Sequence, residues 1–167
     1  VIDSRPETIA RQCDESLQRL QTDVIDLFYL HRWDKRVPIE DSVGALKRLV
    51  EAGKIRAIGL SEVSAATLRK AHAVHPVAAL QTEYSLWTRN AELGVLDACR
   101  ALGVGFVAFS PLARGFLCGT LTNPSAELEP KDLRRQMPRF DAANYPANLR
   151  LIEPYRAVAR EVGCSMA

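Results

Sequence analysis

The sequence predicts an α/β fold built on a parallel sheet, and three observations predict it. Four times along the chain a helical stretch leads into a short apolar run that ends abruptly in polar residues. The apolar runs have strand length, and the stretches between them are long enough to be crossover helices, which parallel pairing requires. With 167 residues, 47% hydrophobic and 25% charged, the chain has the composition of a folded domain with a real core.

The elements follow in order. Ser4 or Arg5, then Pro6 and Glu7, open a first helix: a cap, a proline at the first helical position and an acid in the first turn. Ile9, Cys13, Ser16, Leu17 and Leu20 then recur at helical spacing. The first strand lies in VIDLFYLHRWD, where residues 24–30 read as a strand buried on both faces, with Asp26 expected to find a buried partner low in the sheet. The run stops at His31. Chemistry in such folds gathers at the carboxyl ends of strands, so His31 is the first candidate.

IEDSVGALKRLVEAGK forms the second helix, with Val43, Leu46, Leu49 and Val50 as its apolar stripe and Gly53 and Lys54 ending it. The second strand, 55–60, closes at Ser61 and Glu62. Ser64 caps a third helix, through about His72, and Pro76 stops it; His72 and His75 have structural places at its end. A third strand, 77–80, leads to Gln81 and Glu83. A helix over 92–102 precedes a fourth strand, 104–109, which delivers Ser110 and Pro111. Residues 112–147 hold four prolines and no sustained periodicity, as a long functional loop or active-site cover would. A final helix spans 148–162.

Several function classes are excluded by what the chain lacks. No GxGxxG or GxxxxGK follows a strand, which removes the dinucleotide-binding and phosphate-loop fingerprints. The 22 basic and 20 acidic residues are mixed, so neither nucleic acid nor a membrane surface is implied. Lys131, Arg134, Arg135 and Arg139 read as a solvated loop. Four cysteines without a CxxC pair give no metal site and read as reduced. The absence of a long apolar run or signal-peptide core fits a cytoplasmic protein.

YLHRWD, GKIRAIGLSE, LQTEYSLWTR and GFVAFSPLARGFLCG, in that order, closely resemble the aldo-keto reductase family, in its bacterial and plant-like oxidoreductase branch. SLQRLQTDVIDL and PRFDAANYPANLRL extend the resemblance over essentially the whole chain. The resemblance implies a partial TIM (β/α)8 barrel, residues 1–167 forming one partial domain that carries strands four to seven and lacks the first strands and the last βα unit. It implies NADPH as cofactor and a small aldehyde or ketone as substrate.

On the same resemblance His31 is the catalytic histidine that orients the substrate carbonyl. Ser61 and Gln81 bond the nicotinamide carboxamide, with Glu62 beside them where some relatives carry asparagine. Phe109 stacks on the nicotinamide, where tyrosine is usual. Ser110, Pro111, Leu112, Arg114 and Gly115 form the loop over the pyrophosphate. Trp33 and Trp87 are candidates for the substrate mouth. The family's catalytic aspartate, tyrosine and lysine fall before residue 1 on this pattern; Tyr29 and Tyr84 do not match the tyrosine motif, and Lys54 is a helix cap. The alternative is a non-catalytic relative that binds a nicotinamide nucleotide or a partner, as channel-associated β subunits do.

Overall fold

Pro6 at the first turn and Glu7 beside it start α1 (Pro6–Leu20), although Arg5 at the N-cap supplies no side-chain bond. The computed structural model describes residues 2–167, and these form two compact units: the chain up to Tyr84 with Arg89–Phe109, and Ser85–Thr88 with Ser110–Ala167.

In the first unit, among the described residues, four strands form one parallel sheet in sequence order: β1 (Ile25–Leu30), β2 (Ile55–Ser61), β3 (Ala79–Glu83) and β4 (Gly105–Phe109). Between them run α2 (Ile39–Glu51), α3 (Ala65–Val74) and α4 (Val95–Leu102), each packed on its neighbour. The α/β class and the partial (β/α)8 arrangement are thus as expected. Ser64 caps α3 by accepting the Thr67 N–H at 3.2 Å, and Gly53, at φ 71°, closes α2 with bonds from Gly53 N–H to Val50 O and Lys54 N–H to Leu49 O. Lys54 then reaches Asp14.

The helices cover one face of the sheet. Leu30, Ile58, Leu60 and Leu80 point into them and are buried with Ile9, Cys13, Val43, Leu46, Leu68 and Cys99. Each such side chain contributes about 1.5–3 kcal/mol of transfer free energy. The other face carries Leu27 and Val107, 37% and 39% exposed, so β1 is not buried on both faces as expected. Asp26 likewise finds its partner, Arg56, on the surface rather than in a buried site. The apolar run in β1 reflects a strand with two apolar faces, of which the helix layer covers one.

Several strand and helix ends differ from the sequence reading by one or two residues, and three differences are larger. β3 begins at Ala79 and includes Gln81 and Glu83, because pairing with β4 continues through Gln81↔Val107 and Glu83↔Phe109; polarity alone had ended it at Leu80. The helix expected over 92–102 is broken at Gly94, φ 129°, into a 3-10 turn (Asn90–Leu93) and α4. The final helix is two, α6 (Tyr145–Leu151) and α7 (Glu153–Val162), with Pro154 in the first turn of α7.

The second unit contains the stretch that read as loop, and it has a core of its own. Beside the short α5 (Pro124–Glu127) and 3-10 turns, Phe116, 1% exposed, meets Trp87, Tyr145 and Phe140 edge-on at centroid distances of 4.6, 5.8 and 6.4 Å. Tyr145 donates its hydroxyl to Leu121 O at 2.8 Å inside this cluster. Arginines 134, 135 and 139 staple the segment to itself, Arg135 from an exposed position, which corrects the reading of a merely solvated loop; Lys131 is exposed as expected. Arg135 donates to the carbonyls of Ser125, Leu128 and Glu129, and Arg139 lies 5.9 Å from the centre of the Trp87 ring. A segment without periodicity is here fastened by guanidinium-to-carbonyl bonds in place of helix ladders.

Asp-x-Arg occurs three times, at Asp3, Asp34 and Asp132, and each closes the same clasp. The arginine N–H donates to Oδ1 at 3.1, 3.0 and 2.8 Å, and Nη2 donates to Oδ2 at 2.8, 2.8 and 2.7 Å. These bonds hold all three carboxyls below the ordinary range, Asp132 at about 2. The Asp34 clasp joins a buried knot in which Ser4 Oγ accepts the Asp34 N–H and Ser42 donates to Ser4 O.

Two expectations follow. Gly59 faces the Tyr29 ring so closely that a Cβ would lie 2.5 Å from it. Gly59→Ala is expected to cost about 1–3 kcal/mol in urea unfolding, and Tyr29→Leu in the same chain to recover part of it; an unchanged midpoint for Gly59→Ala contradicts the packing. The clasped carboxylates have depressed folded values, so their stabilisation is complete above the unfolded value and is lost as pH falls through the folded one. Asp34→Asn should be less stable than the parent at pH 7 and lose less on acidification from about pH 5 to about pH 2.5. Equal acid sensitivity in urea unfolding would contradict the clasp.

Candidate functional site

Parallel register determines which side chains share a face. Tyr29 pairs with Gly59, Gly59 with Ala79 and Ala79 with Gly105; one step up each strand by two residues, Ser61 pairs with Gln81 and Gln81 with Val107. Side chains alternate across a strand, so Ser61 and Gln81 lie in one row on the face away from the helices. His31 follows directly on Leu30, which pairs with Leu60, and so ends β1 next to that row. Phe109 ends β4 opposite Glu83, on the same face.

The ends of β1 and β2 are tied by a residue that the sequence reading passed over. Arg32 Nη1 donates to His31 O at 3.1 Å and to Ser61 Oγ at 3.0 Å. Ser61 is 4% exposed. With its oxygen accepting from Arg32, the hydroxyl keeps its proton to donate elsewhere. No sequence signal distinguishes Arg32 from any arginine beside a strand end.

β2 and β3 are tied through Glu62. Its φ is 56°, in the left-handed region where asparagine is favoured and glutamate is uncommon. The Glu62 N–H donates to Gln81 O at 3.0 Å, and Glu62 Oε1 accepts the Glu83 N–H at 2.7 Å. The carboxylate therefore braces the strand end that carries Gln81. Among the described residues, the side chains of His31 and Gln81 make no hydrogen bond to the protein, so an imidazole and an amide stand available beside the Ser61 hydroxyl.

Neither tyrosine of the first unit offers itself as a proton donor. Burial pushes the Tyr29 phenol up, and the Tyr84 hydroxyl donates to Glu92 at 2.8 Å. Trp33 packs against the main core and donates its ring N–H to Val37 O at 2.7 Å. Among the described residues no group of three or more histidines, cysteines or carboxylates is arranged to hold a metal.

The second unit holds Ser110, Pro111, Leu112, Arg114, Gly115 and Trp87. Its loop turns left-handed four times: Ser110 at φ 50°, Ala113 at 50°, Arg114 at 58° and Gly115 at 88°. For residues with a Cβ this costs about 1–2 kcal/mol each, so the surroundings must enforce it. Ala113, Phe116 and Leu117, all buried, anchor one side, and Ala113 N–H to Ser110 O at 2.8 Å and Gly115 N–H to Leu112 O at 3.0 Å close the turns. A right-handed residue followed by left-handed ones curls backbone N–H groups into a concavity suited to anions. Trp87 lines an open apolar pocket of about 330 Å³ with Leu86, Leu117, Leu151, Ile152 and Tyr155.

Residues 2–167 match the model of the Aldo/keto reductase family. The chain is similar to a glycerol dehydrogenase from Gluconobacter oxydans at 31% identity and a TM-score of 0.88, over 98% of this chain and 50% of that one. It is also similar to a thermostable aldo-keto reductase whose structure contains the inhibitor epalrestat, at 25% identity and a TM-score of 0.72, over 97% of this chain and 49% of that one. The chain spans about half the length of these structures.

Proposed function

Since the chain belongs to the aldo/keto reductase family, we propose that the full-length protein is an NADPH-dependent oxidoreductase that interconverts aldehydes or ketones and alcohols. The observation that carries this reading is the row at the strand ends: Ser61 and Gln81 paired on one face, His31 following the end of β1 beside them, and Phe109 ending β4 on that face.

NADPH supplies the hydride when bound. Ser61 donates to the carboxamide oxygen, its proton freed for that by Arg32, and Gln81 meets the same amide with a complementary donor and acceptor. Phe109 offers a flat apolar face to the ring, leaving the opposite side for substrate. His31 holds and polarises the substrate carbonyl, a fixed donor aimed at the oxygen on which charge develops. Arg114 presents a planar fork to phosphate oxygens, and Gly115 with the left-handed backbone around it admits them closely. We assign the proton donor to a residue outside these 167, in keeping with the half-length match.

His31→Ala tests the reading in the full-length protein. NADPH oxidation with 4-nitrobenzaldehyde should fall by about 10²–10⁴, while NADPH affinity, read by fluorescence quenching, stays within about twofold. Turnover equal to the parent's contradicts the role of His31. NADPH binding by a parent that turns over no carbonyl favours the non-catalytic alternative.

A further inference from the structure

Arg114 and Gly115 lie on a backbone that the buried residues beneath it hold from one side only. The polar side is held by a different device. We propose that Arg134, oriented by Asp132, is a positioning residue that presets the 112–115 loop for the phosphates of the dinucleotide, an inference that rests on the function proposed above.

Arg134 commits Nε and Nη2 to the two oxygens of Asp132, at 3.0 and 2.7 Å, which leaves Nη1 pointing elsewhere. Nη1 donates to Arg114 O at 3.4 Å, and it lies 3.4 Å from where a Cβ on Gly115 would sit. The guanidinium therefore holds the loop at one left-handed residue and packs against the next. Both partners are partly shielded from water, at 31% and 22% side-chain exposure. The root of the arm is fixed as well. Asp132 accepts the Arg134 N–H at 2.8 Å at the start of a 3-10 turn (Leu133–Gln136), and neighbouring Arg135 fastens that turn to the carbonyls of Leu128 and Glu129. A carboxylate thus aims the guanidinium and the guanidinium aims a carbonyl.

The loop needs such an anchor because left-handed residues relax toward ordinary backbone once released. Without Arg134, Ala113, Phe116 and Leu117 would still sit in the core, but the Arg114 peptide would be free to turn. The expected loss is one of preorganisation: phosphate would have to order the loop as it bound.

The test uses the full-length protein with Arg134→Met, Asp132→Asn and the double variant. Amide exchange at Gly115 and Leu117, both bonded to Leu112 O, should rise about tenfold in each single variant and no further in the double, while amides of β2 stay unchanged. The dissociation constant for NADPH should rise about five- to tenfold with kcat within about twofold of the parent, because only the loop's preorganisation is lost. If Arg134→Met fails to fold, Arg134→Lys serves, since lysine keeps the charge but cannot hold both Asp132 and Arg114 O. Unchanged loop exchange overturns the proposal whatever the protein binds. Faster exchange with unchanged NADPH affinity also overturns it, leaving a structural clasp. A parent that binds no NADPH overturns the proposed function and this inference with it, and is told apart because the defect appears without any substitution.

Discussion

Because Tyr29 pairs with Gly59, Gly59 with Ala79 and Ser61 with Gln81, the face of β2 and β3 turned away from the helices carries Gly59 and Ala79 below and Ser61 and Gln81 at the top. A slip of one residue along β2 or β3 would send Ser61 or Gln81 into the helix layer and bring Leu60 or Leu80 out. Two constraints hold the register. On one side, Leu30, Ile58, Leu60 and Leu80 are buried against α1 to α4. On the other, the Tyr29 ring lies over Gly59, a fit that admits no side chain at that position.

Above that rigid base, the polar ends are assembled by short ties between neighbouring strands. Arg32 links His31 and Ser61; Glu62 links Gln81 and Glu83. Left-handed, non-glycine backbone recurs where the candidate residues lie: Glu62, Ser110, Ala113 and Arg114. Strain of this kind persists only where neighbours over-determine it: the Glu62 carboxylate accepts the Glu83 N–H, and buried Ala113, Phe116 and Leu117 anchor the turns that follow Ser110. The polar network at the strand ends thus orders backbone as well as side chains.

Much of this was legible in the sequence. Helix–strand alternation, the Ser64 and Gly53 caps, and the polar residue at the end of each strand are local signals with local causes. The resemblance carried by the motifs grouped His31, Ser61 and Gln81, and the register puts Ser61 and Gln81 in one row. What was not legible depends on pairing across the chain. β3 runs on to Glu83 because β4 lies beside it, the compact second unit forms around Phe116 without any period, and its arginines are staples because carbonyls lie within reach. Arg32 carries no signal until the strands are adjacent, and Glu62, placed beside the carboxamide by the resemblance, shows its bracing bonds only once β3 lies beside it. The repeated Asp-x-Arg spacing gains its meaning as a clasp only from the structure.

The central claim is that the row at the strand ends reads one nicotinamide. A crystal structure of the full-length protein with NADP⁺ tests it most directly. The account predicts the carboxamide within about 3.2 Å of both Ser61 Oγ and the Gln81 amide, with Phe109 stacked on the ring. A nucleotide bound with its nicotinamide away from Ser61 and Gln81 would contradict it.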